Sequence, residues 1–327
     1  MARNPISKKP NPVVLVAGPT ASGKSGLALA VARQFDGVVI NADALQVYRE
    51  LHIVTARPGE AEAREAPHRL YGVLSAAERC SAARWRSLAL AEIAEAHGHG
   101  KLPILCGGTG LYLKALREGL AEIPPVPTEV LERGKTILDS RGVEGLRHEL
   151  AARDPISHAK IAPRDRQRLL RAWSVHEATG RALSAWQQDS GDQDAEPGLR
   201  FIDLVLLPSR PELHAAIETR FRAMVETGAL DEVAGLMGLG LDPSLPAMKT
   251  LGVPELARYL QGETDLATAV EAGIRSTRKY AKRQETWLRT QVMRQKNNVS
   301  VFETQFSESL PEKIFPIIRQ FLLTGPM

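Results

Sequence analysis

The chain is short of several things, and each shortage narrows what it can be. It has two cysteines, Cys80 and Cys106, in 327 residues. Two cysteines cannot build a disulfide scaffold, and their spacing is not that of a metal site, so a reducing compartment is expected. No apolar run approaches the roughly 20 residues a membrane-spanning helix needs, so no membrane partner is expected. The start, Met1 to Pro12, is polar and broken by proline. It lacks the apolar stretch of a secretion signal, so it reads as a flexible leader and the protein as cytoplasmic. No internal repeat is visible. Excess charge is small at +4, although it is unevenly spread. Hydrophobic content of 43% and charged content of 24% are ordinary for a globular enzyme. A chain of this length can bury a large core, in one domain with an insert or two.

What is present is sharper. Residues 18–25 read Gly-Pro-Thr-Ala-Ser-Gly-Lys-Ser, straight after the apolar run Val13–Ala17. This is the G-x-x-x-x-G-K-S pattern of a phosphate-binding loop, set between a buried strand and a helix from Gly26 to Gln34. Gly18 and Gly23 let backbone N–H groups turn inward around an anion, with Thr20, Ala21 and Ser22 completing the cradle. The helix N-terminus adds its partial positive charge. Lys24 reaches the oxygens of a terminal phosphate, and the Ser25 hydroxyl is placed to bind Mg²⁺. The chain is expected to grip a diphosphate or triphosphate. The motif does not say whether a phosphoryl group is transferred.

Further along, Gly37–Ile40 reads as a second strand, ending in Asn41-Ala42-Asp43. A helix is expected over Ser81–His97 and a third strand over Leu102–Cys106. Gly107-Gly108-Thr109-Gly110 then opens a helix over Leu111–Arg117. Strands alternating with helices argue for a parallel sheet covered on both faces. Ligands of such sheets sit beyond the carboxyl ends of the strands, which is where the loops 18–25, 41–46 and 107–110 fall. Composition shifts at Ile123-Pro124-Pro125-Val126-Pro127, and the chain then reads helical and polar to about Arg181. A polar break over 189–198 precedes a returning strand, Phe201–Leu207, and from Pro211 to about Gln295 the chain is mostly helical. The fold class expected is α/β. A P-loop NTPase-like parallel sheet core (13–122 and 199–327) carries C-terminal helices, and a helical insertion domain occupies 123–198.

Asp43 reads in two ways. It is either a carboxylate that binds Mg²⁺ through water or takes a proton from an acceptor, or the N-cap of a helix over Ala44–Arg49. The loop 107–110 is either a second anion or substrate loop or a turn that needs glycine for backbone reasons. Two regions are basic. The insert carries Arg164, Arg166, Arg168 and Arg171 beside Trp173. The C-terminal helix carries Arg275, Arg278, Lys279, Lys282, Arg283, Arg289, Arg294 and Lys296 against one acid, Glu285, with Tyr280, Gln284 and Trp287 interleaved. One-sided charge suits a polyanion, because a solvated face usually mixes signs. His68 and His176 are isolated and read as structural. Three classes remain: a small-molecule kinase, an enzyme acting on nucleic acid with a small diphosphate co-substrate, and, more weakly, a nucleotide-binding switch. The basic surface separates the first two, since a kinase for a small metabolite needs only a few arginines around its phosphates.

Taken together, the motifs resemble the tRNA dimethylallyltransferase (tRNA isopentenyltransferase) family. The carriers are GPTASGKS at 18–25, NADALQVYR at 41–49, TARP at 55–58, PHRL at 67–70, GGTGLYLKAL at 107–116, PRDRQRLLRA at 163–172 and RKYAKRQETWLR at 278–289. Their order and spacing, more than any one of them, carry the likeness. The resemblance implies transfer of a dimethylallyl group from dimethylallyl diphosphate to N6 of the adenosine just 3′ of the tRNA anticodon. In that reading the phosphate loop, Lys24, Arg220 and Mg²⁺ on Ser25 hold the departing diphosphate. Asp43 is the base, with Gln46 one helical turn on to position it, and Thr109 lies near the reacting atoms. Asp43, Ala44, Leu45, Gln46 and Thr109 face the tRNA. So do Gln167, Arg168, Leu169, Leu170 and Arg171 in the insert, and Lys282, Arg283, Gln284, Trp287 and Arg289 in the C-terminal helix. The two basic regions are expected to clamp the anticodon arm from two sides, with the insert hinged at 124–127 and 189–198. A monomer is expected. The alternatives kept beside this reading are a P-loop small-molecule kinase and a transferase acting on free adenine nucleotides.

The chain departs from the family pattern in places. Ala44 stands where the family usually has Ser. Val54-Thr55-Ala56-Arg57-Pro58 replaces the usual Gly-Thr-Ala-Lys-Pro, and His68-Arg69-Leu70 a paired His-His-Leu. None removes a group assigned to chemistry, although Ala44 withdraws a hydroxyl beside the base. The zinc finger of eukaryotic members is absent, as in the bacterial type.

Overall fold

The computed structural model describes residues 11–189, 198–292 and 298–324. They form two compact units, one made of residues up to Lys114 and from Pro197 onward, the other of Ala115–Glu196. Residues 1–10 of the expected leader, 190–197 of the polar break, and Arg294 and Lys296 lie outside the described residues.

Strand β1 (Asn11–Ala17) begins inside the stretch expected as leader. It leads through the phosphate loop into α1 (Lys24–Gln34) and β2 (Gly37–Asn41). Then come α2 (Glu60–Glu65), β3 (His68–Arg69), α3 (Ala82–Gly98), β4 (Leu102–Gly107) and α4 (Gly110–Glu118). The second unit holds α5 (Thr128–Arg153), broken at Gly142, with α6 (Pro155–Lys160), α7 (Arg166–Thr179) and α8 (Leu183–Asp189). Its core is Leu138, Leu146, Leu150, Leu169, Ala172, Trp173, Val175 and Leu183. Buried Asp154 ties α6 to α8, accepting from the Ser157 amide at 3.0 Å and the Ser184 hydroxyl at 2.6 Å.

The chain then returns as β5 (Leu199–Leu206), α9 (Arg210–Glu226), α10 (Ala229–Gly238), α11 (Val253–Leu260) and α12 (Leu266–Trp287). A short strand β6 (Val299–Phe302) and helix α13 (Leu310–Leu323) follow. The reading from sequence missed β3, β6 and α13. Both strands lie at the sheet edges and are short and not fully buried, so neither carries the continuous apolar run that marks an inner parallel strand.

The six strands pair in the order β3-β2-β4-β1-β5-β6, all parallel. Val13 to Ala17 are completely buried, which is why β1 reads as an unbroken apolar run. On one face α1 and α13 cover the sheet through Leu27, Val31, Ile314 and Ile318. Because β4 sits between β1 and β2, the loops after these three strands open side by side at one edge. No helix among the described residues is long and apolar enough to cross a membrane.

Candidate active site

The phosphate loop is shaped by its own backbone. Gly23 has φ 82 and caps α1, whose first turn begins at Lys24. Glycine takes that left-handed conformation without strain. A Cβ on Gly18 would run into the Ser22 side chain and approach the Leu206 carbonyl. The loop is also braced from the far end of the chain: the Phe306 amide donates to the Ser22 carbonyl at 3.2 Å, and Gln305 Nε2 to the Ala21 carbonyl at 3.2 Å. The Lys24 ammonium is held below its usual value by burial, against which the charge of Asp43 works. Behind it, burial pushes the Cys106 thiol up to about 11, opposed by Lys24 and by a hydrogen bond from Ser25.

Asp43 is held in a turn rather than at a helix. The expected helix over Ala44–Arg49 does not form; the segment is a chain of turns with a single parallel bridge, Tyr48 to Leu74. The cause lies in Asn41 and Asp43. Buried Asn41 accepts the Asp43 N–H at 2.8 Å and donates to the Asp43 and Leu70 carbonyls at 3.0 Å each. The Asp43 carboxylate itself accepts the Leu45 N–H at 3.0 Å. Such short-range side-chain bonds compete with helix. Gln46 is likewise not one helical turn from Asp43: its amide donates to the Thr55 and Ala56 carbonyls at 2.9 and 3.0 Å. It fixes the facing loop.

Thr109 joins this turn to the next loop. Its hydroxyl accepts the Ala44 N–H at 2.9 Å, and its amide donates to the Ala42 carbonyl at 3.3 Å. The neighbouring glycines answer to close packing. A Cβ on Gly107 would strike the Ala42 backbone, one on Gly108 the Gln284 amide, and one on Gly110 the Trp287 ring. Close packing accounts for the glycines of loop 107–110, and Thr109 is the side chain the loop presents.

Helix α12 supplies the opposite wall. One stripe of it is buried, Ala269, Val270, Gly273, Ile274, Thr277, Ala281 and Gln284, and the basic residues take the other faces. Gln284 has both ends of its amide engaged, accepting the Thr20 N–H at 2.8 Å and donating to the Gly108 carbonyl at 3.0 Å. Its side chain therefore braces the site from within. Tyr280 borders a cavity together with Asp43. Burial raises its phenol above the ordinary value, with the Asp43 charge adding to the rise. Helix α9 contributes Arg220, which donates to the Thr20 hydroxyl. Burial lowers the Arg220 pKa, and Asp43 opposes that.

These groups line two adjoining cavities. One holds Lys24, Ser25, Gly23, Ala21 and Gln46. The other has an apolar wall, Ile217, Phe221 and Met224 of α9 with Leu45, Val54 and Leu251, and a polar remainder that includes Thr277 and Tyr280. Asp43, Thr20, Thr55 and Arg220 border both. The phosphate loop and the apolar wall of α9 thus meet at Asp43 and Arg220.

Of the residues assigned to nucleic acid, Lys282, Arg283 and Arg289 are exposed on α12 and the π-helical turn after it. Arg278 instead pairs with Glu218 at 2.9 Å, and Arg289 with Glu285 at 3.1 Å. In the second unit, Gln167, Arg168 and Arg171 are exposed on α7, whereas Leu169 is fully buried in the core and Leu170 packs against it. The two leucines thus hold the helix, and the polar side chains are exposed.

The sequence reading missed Tyr280, Cys106 and Glu232 as parts of the site. Glu232 on α10 accepts three successive N–H groups, those of His52, Ile53 and Val54, at 2.7, 2.7 and 2.9 Å. It anchors the loop whose Val54 and Thr55 line the apolar chamber. No motif marks these residues, and only the folded chain brings them together.

The family model described as IPP transferase matches residues 46–291 of this chain. The chain is 51% identical over 315 residues to the tRNA dimethylallyltransferase of Paramagnetospirillum magneticum, covering 96% of this chain and 98% of that protein. It is 53% identical to the tRNA dimethylallyltransferase of Rhodospirillum centenum, over 86% of this chain and 89% of that one. Among solved structures it is similar to a eukaryotic dimethylallyltransferase acting on tRNA, with a TM-score of 0.84 and 25% identity over 97% of this chain and 81% of that chain. It is also similar to the tRNA isopentenylpyrophosphate transferase of Bacillus halodurans, with a TM-score of 0.65 and 31% identity over 96% of each chain.

Proposed function

The chain belongs to the IPP transferase family, and on that premise we propose that it moves a dimethylallyl group from dimethylallyl diphosphate onto a tRNA. The acceptor is N6 of the adenosine 3′-adjacent to the anticodon, and diphosphate is released. The observation that carries this reading is that Asp43 borders both the anion cradle and the apolar chamber. A kinase has no use for an apolar chamber against its catalytic carboxylate. A prenyl donor has a diphosphate for one cavity and a hydrocarbon for the other.

The chemistry follows from the placement. The bond between the allylic carbon and the diphosphate oxygen breaks, and its electron pair leaves on the oxygen. Phosphate-loop N–H groups, the start of α1, Lys24 and Arg220 stabilise that growing charge. Thr20 orients Arg220, and Gln284 orients Thr20. The N6 lone pair of adenine is delocalised into its ring, so the amine attacks well only if its proton is taken as the new C–N bond forms. Asp43 takes that proton. Thr109, which accepts the Ala44 N–H, holds the turn that carries it.

Magnesium fits this donor set. Among the described residues no three His, Cys, Asp or Glu side chains gather to hold a metal. The Ser25 hydroxyl and Asp43 carboxylate line one cavity and are hard oxygen donors. Ser25 and the diphosphate oxygens would hold the ion, with Asp43 reached through water. When bound, it supplies further neutralisation of the leaving group.

The target base has to leave its stack to reach a carboxylate only 9% exposed. The exposed bases of α12 and of α7 suit the tRNA backbone. Two unpaired cysteines and a tRNA substrate fit a cytoplasmic enzyme. The test is incubation with labelled dimethylallyl diphosphate, Mg²⁺ and either unmodified tRNA or AMP. Label is expected on tRNA alone. Label on AMP would make the chain a nucleotide prenyltransferase, and ATP consumption without prenyl transfer would revive the kinase.

A further inference from the structure

The apolar wall of the chamber includes a tightly packed ring. Phe221 follows Arg220 on α9 and is 6% exposed. Its ring lies so close to α12 that a Cβ on Gly273 would collide with it, and a Cβ on Gly252 would come within 3.2 Å of its edge. Two glycines therefore make room for the ring, and the ring has nowhere to retreat. Met224 stands one helical turn beyond Arg220, about 6 Å along the helix axis. Leu251 lines the same chamber. Phe221 and Met224 thus line the cavity that Arg220 borders, one residue and one helical turn beyond it on α9.

Given the prenyl transfer proposed above, we infer that Phe221, backed by Met224, sets the length of the donor and excludes chains of ten carbons. A pocket closed by immobile side chains rejects a longer substrate because close-packed interiors do not yield to added methylenes. The discrimination acts at the hydrocarbon end. It leaves the diphosphate contacts and the base untouched.

The experiment compares dimethylallyl and geranyl diphosphate as donors to unmodified tRNA, with the full chain and with Phe221→Ala and Met224→Ala. The wild type should use the five-carbon donor and leave the ten-carbon one almost unused. Either variant should raise the geranyl-to-dimethylallyl ratio of kcat/KM by at least about tenfold. Phe221→Leu, which keeps an apolar side chain in the core, guards against a variant that fails to fold and should shift the ratio in the same direction. Wild-type transfer from geranyl diphosphate at a comparable rate would overturn the inference. So would an unchanged ratio in variants that still turn over dimethylallyl diphosphate. Absence of transfer from either donor in the wild type would instead strike the prenyl-transfer reading itself.

Discussion

The side-chain amide of Gln284 accepts the backbone N–H of Thr20 at 2.8 Å, across 264 residues of sequence. With its second bond to Gly108, it ties α12 to the phosphate loop and to the loop after β4. Gln284→Leu keeps the bulk and strands the groups at both ends. Each stranded buried group should cost about 1–3 kcal/mol. A lower melting temperature and weaker dimethylallyl diphosphate binding are expected together. An unchanged melting curve would show that the two loops hold their shape alone.

Asp43→Asn should lower turnover by roughly 10²–10⁴-fold, the worth of a positioned general base. Asparagine keeps the oxygen that accepts the Leu45 N–H, so the turn should survive and tRNA should still bind tightly. Single-turnover rates and a filter-binding assay separate the two. Near-normal turnover would leave Asp43 a turn-forming residue only.

Lys24→Ala removes a contact that strengthens as diphosphate departs, so kcat should fall along with kcat/KM. A rise in KM alone would make Lys24 a ground-state binder. Burial holds the Lys24 pKa below 10.5 in the folded enzyme, so its charge is lost at lower pH than in a free lysine. The alkaline limb of kcat/KM should therefore begin below pH 10.5. The same shift means the folded state binds fewer protons than the unfolded one. Lys24 thus adds stability as pH rises from its lowered value towards 10.5.

Tyr280→Phe deletes the hydroxyl from the cavity that Asp43 borders and keeps the ring. The one neutral hydrogen bond it can offer there is worth about 0.5–1.5 kcal/mol, so kcat should drop about two- to tenfold with little change in KM for tRNA. A larger rise in KM than fall in kcat would assign the ring to base binding.

Charge reversal at Arg168 or Arg171 should weaken tRNA binding and spare dimethylallyl diphosphate. The salt dependence should flatten by about one unit of slope for each lost phosphate contact. Binding that is as tight and as salt-sensitive as the wild type would relieve α7 of any part in recognition.

The sheet and its loops were legible because their signals are local. A run such as Val13–Ala17, buried throughout, followed by a glycine turn, can only be an inner strand feeding a helix. Asp43 was legible for the same reason. The turn after it was not, since its conformation depends on which carbonyl Gln46 finds and on the Asn41 amide. Edge strands β3 and β6 were too short to stand out, and α13 carries Pro316 inside it. Tyr280, Gln284 and Glu232 reach the site through packing of helices far along the chain. Their identities in sequence are those of ordinary helix residues, and periodicity marks which face is buried without saying what it touches.

The bracing of the phosphate loop by late residues has a consequence for synthesis on the ribosome. Thr20, Ala21 and Ser22 emerge early. Their partners Gln284, Gln305 and Phe306 follow at least 264 residues later. A nascent chain can pair β1 with β4 and begin to pack its sheet, yet its anion cradle stays unbraced until those distant residues have emerged.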